Sequence, residues 1–218
     1  MNLEQCCSTF SIVALDTDTG DLGIATQSAY LAVGSVVPWA KFNVGAIATQ
    51  AWANASYGPR GLDLLEQDFG AIDTLERLID PDLNQQFRQV AIVDSDGTAA
   101  AFTGNECQKW AGHVTGPGFV CLGNLLSGEE VVNAMAESFE SPREENFAAK
   151  LLTVIKAGEE AGGDRRGRQS SALLVTREGG SWGETSDFLV DLRVDDHTDP
   201  INELKRLYML HERLFHEV

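Results

Sequence analysis

The sequence predicts an α+β fold in which mainly antiparallel sheets are covered by helices, and three observations point to it. Short runs rich in apolar and β-branched residues come in pairs joined by turn sequences, which is typical of hairpins. Pairs of amphipathic helices interrupt these runs, whereas a parallel sheet would need single strands and helices in alternation. The 218 residues are 43% hydrophobic, which is enough to bury one sizeable core.

The first strands form a hairpin. Residues 10–15 and 22–28 have strand-forming sequences, and residues 16–21 between them are the Asp, Thr and Gly types found in turns. Residues 44–50 are a third strand, whose small side chains allow another layer to pack closely on one face.

Two helices are predicted next. The first begins at Gly58 and Pro59, because proline is favoured at the first position of a helix. The second ends before Pro81 and carries apolar residues at helical spacing, namely Ile72, Leu75, Leu78 and Ile79.

The middle of the chain contains a second hairpin. Residues 89–93 and 99–102 flank the sequence Asp-Ser-Asp-Gly at 94–97, which favours a tight turn because glycine and aspartate tolerate positive φ. Residues 119–122 are a further strand.

Two capping-box spacings predict the starts of two more helices. Ser127 precedes Glu130 by three residues, and Ser141 precedes Glu144 in the same way. Apolar residues then share one face of each helix: Val131, Met135 and Phe139 in the first, and Phe147, Leu151 and Ile155 in the second.

The last part of the chain has two strands and a final helix. The strands are residues 171–176 and 188–194, and Asp199 caps the helix that Pro200 begins. The apolar stripe of this helix consists of Ile201, Leu204, Leu207, Tyr208 and Leu214.

The charge balance excludes two classes of partner. With 16 Lys and Arg against 33 Asp and Glu, the net charge is −17, so both nucleic acid and an anionic membrane surface are repelled. A secretory signal pattern is lacking, and no apolar run approaches the roughly 20 residues of a membrane-spanning helix. We therefore expect a cytoplasmic protein with reduced cysteines.

Thr9 is the first candidate for chemistry. A threonine at the start of a chain can attack a carbonyl group with its hydroxyl, while its own α-amino group accepts the proton. Eight residues precede Thr9 in this sequence, so the chemistry requires their removal. Taken alone, a threonine at the start of a strand is also an ordinary strand residue.

The loop at residues 162–171 is the second candidate. Three of the 16 basic residues of the chain lie in it, namely Arg165, Arg166 and Arg168. Its other polar residues include Asp164, Gln169 and Ser170. Guanidinium groups bind carboxylate or phosphate through paired donors, so the loop is suited to an anionic ligand. The alternative is that its arginines pair with nearby acids and stiffen the connection.

Other polar residues have weaker signals. Asn124 follows a strand, where its amide can donate to a developing oxyanion or serve an ordinary turn. The acidic segment 195–199 contains His197, but successive residues of an extended segment point to opposite faces, so we predict neither a metal nor another cofactor. The remaining histidines and two later cysteines are interpreted as surface or core residues: His113, His211, His216, Cys107 and Cys121.

Eight segments together resemble a known family. They are residues 9–14, 32–40 (AVGSVVPWA), 44–65 (VGAIATQAWANASYGPRGLDLL), 102–104, 110–113, 123–126, 162–174 (GGDRRGRQSSALL) and 190–200 (VDLRVDDHTDP). The chain resembles members of the uncharacterised prokaryotic family known as domain of unknown function 1028, from Thr9 onward. In many relatives threonine directly follows the initial methionine, and a basic residue follows the serine of the second strand, where this chain has Ala29 after Ser28.

The resemblance implies a single N-terminal-nucleophile (Ntn) hydrolase-like domain over residues 1–218, with 1–8 as an extension. This fold is a four-layer αββα sandwich of two antiparallel sheets between helices. By the same resemblance, Thr9 is the nucleophile and Asn124 assists it. The implied substrate-binding residues are Ser28, Asp164, Arg168, Gln169 and Ser170.

We therefore expect an Ntn-type hydrolase that acts on an amide bond of a small substrate, with Thr9 active once residues 1–8 are removed. The alternative is a catalytically inactive protein of the same fold that binds an anionic small molecule. In either case we expect a small-molecule ligand and a homo-oligomer, dimeric or larger, without nucleic acid or membrane as partner.

Overall fold

Ten strands in two antiparallel sheets form the centre of the computed structural model, which describes residues 7–142 and 146–216. One sheet has six strands in the order β10-β9-β2-β1-β8-β7, and the other has four in the order β3-β4-β5-β6. In chain order the strands are β1 (Thr9–Leu15), β2 (Leu22–Ser28), β3 (Pro38–Lys41), β4 (Gly45–Ala51), β5 (Arg88–Asp94), β6 (Ala99–Thr103), β7 (Gly112–Gly116), β8 (Phe119–Gly123), β9 (Ser170–Thr176) and β10 (Phe188–Val194).

Helices cover the outer face of each sheet. Those described are α1 (Tyr57–Leu65), α2 (Ala71–Ile79), α3 (Glu130–Glu140), α4 (Phe147–Glu160) and α5 (Pro200–His216). One buried cluster joins α1 and α2 to the four-stranded sheet, and a second joins α3, α4 and α5 to the six-stranded sheet. A third cluster lies between the two sheets. The layers are therefore helix, sheet, sheet and helix, which confirms the predicted αββα sandwich.

Strand β1 separates the two faces of its sheet residue by residue. Phe10 and Ile12 are buried against the helices, whereas Val13 is buried against the other sheet. Because successive side chains of a strand alternate, Thr9 and Ser11 belong to the face between the sheets. Each fully buried large apolar side chain stabilises the fold by about 1.5–3 kcal/mol, so a slip of one residue in β1 is strongly disfavoured.

The predicted capping boxes are wrong. Helix α3 begins at Glu130, and the side chain of its N-cap residue, Glu129, makes no capping hydrogen bond. The backbone N–H of Ser127, which a capping box would direct to Glu130, donates to Gly163 O at 3.1 Å. Ser141 ends α3, and Glu144 lies outside the described residues. Helix α4 is capped by Asn146, whose Oδ1 accepts the N–H of Ala149 at 2.9 Å.

Two strands were not predicted. Strand β3 begins with Pro38 and lies at a sheet edge, where proline is tolerated. Strand β7 is also an edge strand, and its residues are only partly buried or exposed, so it lacks an apolar signal.

Two predicted apolar-stripe residues are instead exposed, Ile72 of α2 at 56% and Leu214 of α5 at 67%. Within the described ranges, no helix combines the length and the apolar character needed to cross a bilayer.

Candidate active site

Thr9 opens strand β1 and is completely buried between the two sheets. Its Oγ1 donates a hydrogen bond to the carbonyl oxygen of Cys7 at 2.9 Å and lies 3.4 Å from Cys7 Sγ. In register, Thr9 pairs with Ser28 at the end of β2. The structure thus places a hydroxyl at the end of the inter-sheet layer, in a position closed to solvent.

Cys7 and Ser8, the two described residues before Thr9, lie over its side of the inter-sheet layer. Cys7 pairs with Ala51 of β4 in the other sheet: Cys7 N–H donates to Ala51 O at 2.8 Å, and Ala51 N–H donates to Cys7 O at 3.0 Å. The segment therefore crosses from one sheet to the other directly beside Thr9. In this intact chain the nitrogen of Thr9 belongs to a peptide bond, which has no basic lone pair to accept the hydroxyl proton.

The carbonyl group of Ser8 is held by two side-chain donors. Ser28 Oγ donates to Ser8 O, and Arg166 Nη2 donates to the same oxygen at 3.2 Å. Ser8 Oγ in turn donates to the carbonyl oxygen of Asn124 at 2.9 Å. The carbonyl of the peptide bond that links Ser8 to Thr9 thus lies in a pocket of donors, one of them cationic.

Asp164 explains why Arg166 reaches this carbonyl. The Asp164 side chain is fully buried, and its Oδ2 accepts from Arg166 Nη2 at 3.1 Å and from the backbone N–H of Ala29 at 3.2 Å. Its Oδ1 accepts the backbone N–H of Arg166 at 2.9 Å. A carboxylate with several donors holds the guanidinium in one orientation, so Asp164 acts through Arg166.

Three side-chain amides form a buried network behind Thr9. Gln89 Nε2 donates to the carbonyl oxygens of Gly123 at 2.8 Å and Gly112 at 3.1 Å, and these acceptors fix which end of the amide is nitrogen. Gln89 Oε1 therefore accepts, from Gln50 Nε2 at 2.8 Å and Asn124 Nδ2 at 3.0 Å.

The network also holds the backbone of Thr9. Thr9 O accepts from Gln50 Nε2 and from the backbone N–H of Asn124, both at 3.1 Å. The acceptor end of the Gln50 amide is also satisfied, because Ser11 Oγ donates to Gln50 Oε1 at 2.7 Å. Asn124 Oδ1 is buried and has no hydrogen-bond partner among the described residues. The site thus contains one unused acceptor close to Thr9.

Gln50 and Gln89 are site residues that the sequence analysis did not single out. Both are fully buried on strands whose neighbouring inward positions are small and apolar. A glutamine on the inward face of a strand is unusual, because a buried amide must find partners for both its donor and acceptor atoms. The sequence carries this signal, because in both strands the glutamine occupies a position that the alternation of side chains assigns to the inward face.

The other predicted binding residues lie near Ser28, but their side chains bind partners outside the Thr9 site. Arg168 Nη1 pairs with Glu159 at 3.2 Å and Asp199 at 3.4 Å. The backbone N–H of Gln169 donates to Ser28 O at 2.8 Å, while its side chain binds Asp196. Ser170 pairs with Ser28 in register and donates to Tyr30 O. The structure thus brings Ser28, Asp164 and Asn124 together at Ser8, with Arg166 rather than Arg168 as the nearby cation.

The acidic segment before α5 is occupied by local contacts. His197 Nδ1 accepts the backbone N–H of Asp199 at 2.9 Å, and Asp199 binds Asn202. In the described parts of the chain, His, Cys, Asp and Glu residues form no group of three or more that could hold a metal. Burial lowers the pKa of His113 and raises the pKa of the Cys121 thiol, so Cys121 is an unreactive core residue.

Known proteins add the family context. Residues 9–204 match a sequence family described as "Family of unknown function (DUF1028)". The crystal structure of protein SPO2555 from Silicibacter pomeroyi, assigned to the same family, is similar with a TM-score of 0.84 and 34% identity. The match covers 93% of this chain and 88% of that chain. A comparison with curated proteins found no match.

Proposed function

The chain belongs to the DUF1028 family of unknown function, and from the contacts of Thr9 we propose that it is an Ntn-type hydrolase of amide bonds in a small substrate. In this proposal Thr9 becomes the nucleophile when residues 1–8 are removed. The observation that carries it is the double hydrogen bond from Ser28 Oγ and Arg166 Nη2 to the carbonyl oxygen of Ser8. In the proposal, the carbonyl of the substrate takes the place of the Ser8 carbonyl beside the Thr9 hydroxyl.

The first step uses the amino group that cleavage creates. With Ser8 gone, the free α-amino group of Thr9 accepts the proton of Oγ1, and Oγ1 attacks the carbonyl carbon of the substrate amide. The carbonyl oxygen becomes negatively charged as the tetrahedral intermediate forms. Arg166 and Ser28 donate to this oxygen, and such donors strengthen as the charge develops.

The later steps return the site to its starting state. The C–N bond of the tetrahedral intermediate breaks, and the departing nitrogen takes the proton held by the Thr9 amino group. This leaves an ester on Thr9 Oγ1 and releases an amine. Water then attacks the ester with the amino group again as base, which frees a carboxylic acid and regenerates the threonine.

Asn124 positions the new amino group. Its Nδ2 is engaged by Gln89, while its Oδ1 is buried and unused among the described residues. In the proposal, Oδ1 accepts an N–H of the free Thr9 amino group and so directs the nitrogen lone pair towards Oγ1. Asn124 thus assists the base, a role different from the oxyanion donation that the sequence suggests.

A non-catalytic binding protein is the second candidate. The observation that favours it is the pairing of Cys7 with Ala51, which in the intact chain keeps Thr9 completely buried. A chain that retains residues 1–8 would use its exposed cationic loop to bind an anionic small molecule, and Thr9 would be a structural residue.

The two candidate functions can be distinguished with a shortened variant in which Thr9 directly follows the initiator methionine. Removal of the methionine leaves a free Thr9, and a threonine-directed electrophile such as a β-lactone should then add to Thr9, as peptide mass spectrometry would show. The matched controls are Thr9→Ala in the same chain and the unmodified full-length protein, neither of which should react there. Thermal unfolding checks that the shortened chain is folded. A folded chain with a free Thr9 that does not react contradicts the hydrolase proposal.

A further inference from the structure

A cavity lined by polar side chains and glycines lies on the face of the six-stranded sheet opposite to Thr9. It has a volume of about 210 Å³ and is lined by Gln27, Glu159, Asp164, Arg168 and glycines of the loop after α4. Gln27 pairs in register with Phe10, whose side chain is buried against the helices. Gln27 therefore lies on the helix side of the sheet, away from the Thr9 hydroxyl, and Asp164 is the one lining residue that also belongs to the Thr9 site. We name this space the Gln27 cavity.

Gln27 has an unused donor in this cavity. Its side chain is 1% exposed, and its Nε2 has no hydrogen-bond partner in the described parts of the chain. A buried amide N–H without an acceptor destabilises the folded state, and most buried polar atoms in proteins have a partner. An acceptor atom of a ligand would satisfy it.

The wall of the cavity leaves room for such a ligand. Gly163 and Gly167 have φ of 56° and 105°, a region that side chains with a Cβ rarely adopt, and a Cβ built on Gly167 would meet no atom within 4 Å. The volume corresponds to roughly seven water molecules. A space of this size accommodates a short organic acid.

Arg168 supplies the charge. Its Nη1 makes the two contacts with Glu159 and Asp199, so Nε and Nη2 are not used among the described residues. Glu159 is also paired with Lys156 at 2.6 Å, and Asp164 with Arg166, so the carboxylates around the cavity already have cationic partners. An incoming anion therefore meets a locally balanced surface in a chain whose net charge is −17.

We propose that the Gln27 cavity binds a small aliphatic carboxylate, with one oxygen accepting from Gln27 Nε2 and the other from the Arg168 guanidinium. A carboxylate has two acceptor oxygens, which matches one amide donor and one guanidinium donor. The site goes beyond the proposed hydrolysis and does not use Thr9, so each proposal can fail without the other.

Titration of the full-length protein tests this site. Acetate, propionate, butyrate and pentanoate are added to ¹⁵N-labelled protein, and the side-chain amide signal of Gln27 is followed by NMR, with acetamide and propionamide as uncharged probes. We expect saturable binding of at least one carboxylate that shifts the Gln27 signal. The amides should bind at least tenfold more weakly.

Variants assign the two donors. Gln27→Leu and Arg168→Gln should each weaken carboxylate binding at least tenfold by calorimetry. Arg193→Gln, which changes an arginine that is similarly exposed and also paired with a carboxylate, should leave it unchanged. Thermal unfolding checks Gln27→Leu, and the surface variant Arg168→Gln keeps the test decisive if the core variant is unfolded.

Four results would overturn the proposal. The first is that none of the carboxylates binds saturably. The second is that binding persists unchanged in Arg168→Gln, and the third is that the amides bind as tightly as the acids. The fourth is that Thr9→Ala abolishes binding, because the ligand would then occupy the Thr9 site. Retained binding in Thr9→Ala supports the Gln27 cavity whatever the outcome for hydrolysis.

Discussion

At the scale of single residues, the site depends on which arginine of the 165–168 loop faces inward. Arg165, Arg166 and Arg168 are equivalent in the sequence, and only the folded turn around Asp164 selects Arg166. The resemblance names Arg168 instead, and the position of a residue along a loop does not indicate which side chain faces inward. The resemblance names Thr9, Ser28, Asp164 and Asn124, and the structure brings them together around Ser8, while their roles in catalysis stay a prediction.

Arg166 provides the residue-scale test of the proposed chemistry. In the chain that begins at Thr9, Arg166→Gln should lower the rate of amide hydrolysis by about 10²–10³-fold, the usual effect of losing one oxyanion donor. Steady-state kinetics measures it, and Arg193→Gln is the matched arginine control. Since Asp164 is buried and paired with Arg166, thermal unfolding must show that the variant is folded. An unchanged rate in folded protein would remove Arg166 from the mechanism.

A second residue-scale prediction concerns Asp82. Burial disfavours its charged form, but hydrogen bonds from Arg88 and Tyr57 outweigh burial and lower the pKa to about 2. A carboxyl whose folded-state pKa is depressed stabilises the fold above its unfolded pKa of about 3.9, and this contribution is lost as the pH falls towards 2. Asp82→Asn should therefore lower the free energy of unfolding by about 1–3 kcal/mol at pH 7.

The pH dependence distinguishes this electrostatic effect from a packing defect. The difference between wild type and Asp82→Asn should shrink steadily between pH 5 and pH 2 in denaturant unfolding experiments, because wild-type Asp82 becomes protonated. A difference that is constant over this range would show that charge is not the cause.

At the scale of elements, strands with clear apolar patterns and the hairpin turns were predictable, whereas caps and edge strands were not. Strands β3 and β7 lie at sheet edges and bury little, so their sequences carry little pattern. The capping-box spacings failed because tertiary contacts decide where a chain enters a helix. Ser127 is tied to Gly163 before α3 begins.

The cap of α4 supplies the element-scale prediction. Asn146→Ala should destabilise the protein by about 0.5–2 kcal/mol, because it removes the bond to Ala149 N–H. The same Oδ1 also accepts from Tyr208 of α5 at 2.7 Å, which places the expected loss towards the upper end. Ser127→Ala, at the predicted but unused cap, should change stability by less than about 0.5 kcal/mol. Equal losses in the two variants would contradict this assignment of the cap.

At the scale of the whole molecule, two sheets meet over an apolar layer that changes into a polar network at one end. The four-layer architecture followed from the resemblance, and the order of strands and helices agreed with it. The buried amides of Gln50 and Gln89 were missed because their role appears only when β4 and β5 face β1 and β8. Cys7, two residues before Thr9, pairs with Ala51 of the opposite sheet and so helps to bury Thr9.

The homo-oligomer stays a prediction at this scale. Sedimentation equilibrium over a range of protein concentrations should give a mass of at least twice the 23.6 kDa of the chain. A mass equal to one chain at every concentration, up to the highest tested, would make the protein a monomer.

The most direct test of the central claim is the N-terminus of the protein isolated from its native cell. Intact mass and N-terminal sequencing should find chains that begin at Thr9, because only a free amino group there supplies the base. Protein that begins uniformly at Met1 or Asn2, in cells where it is functioning, would contradict the account and leave Thr9 as a buried structural residue.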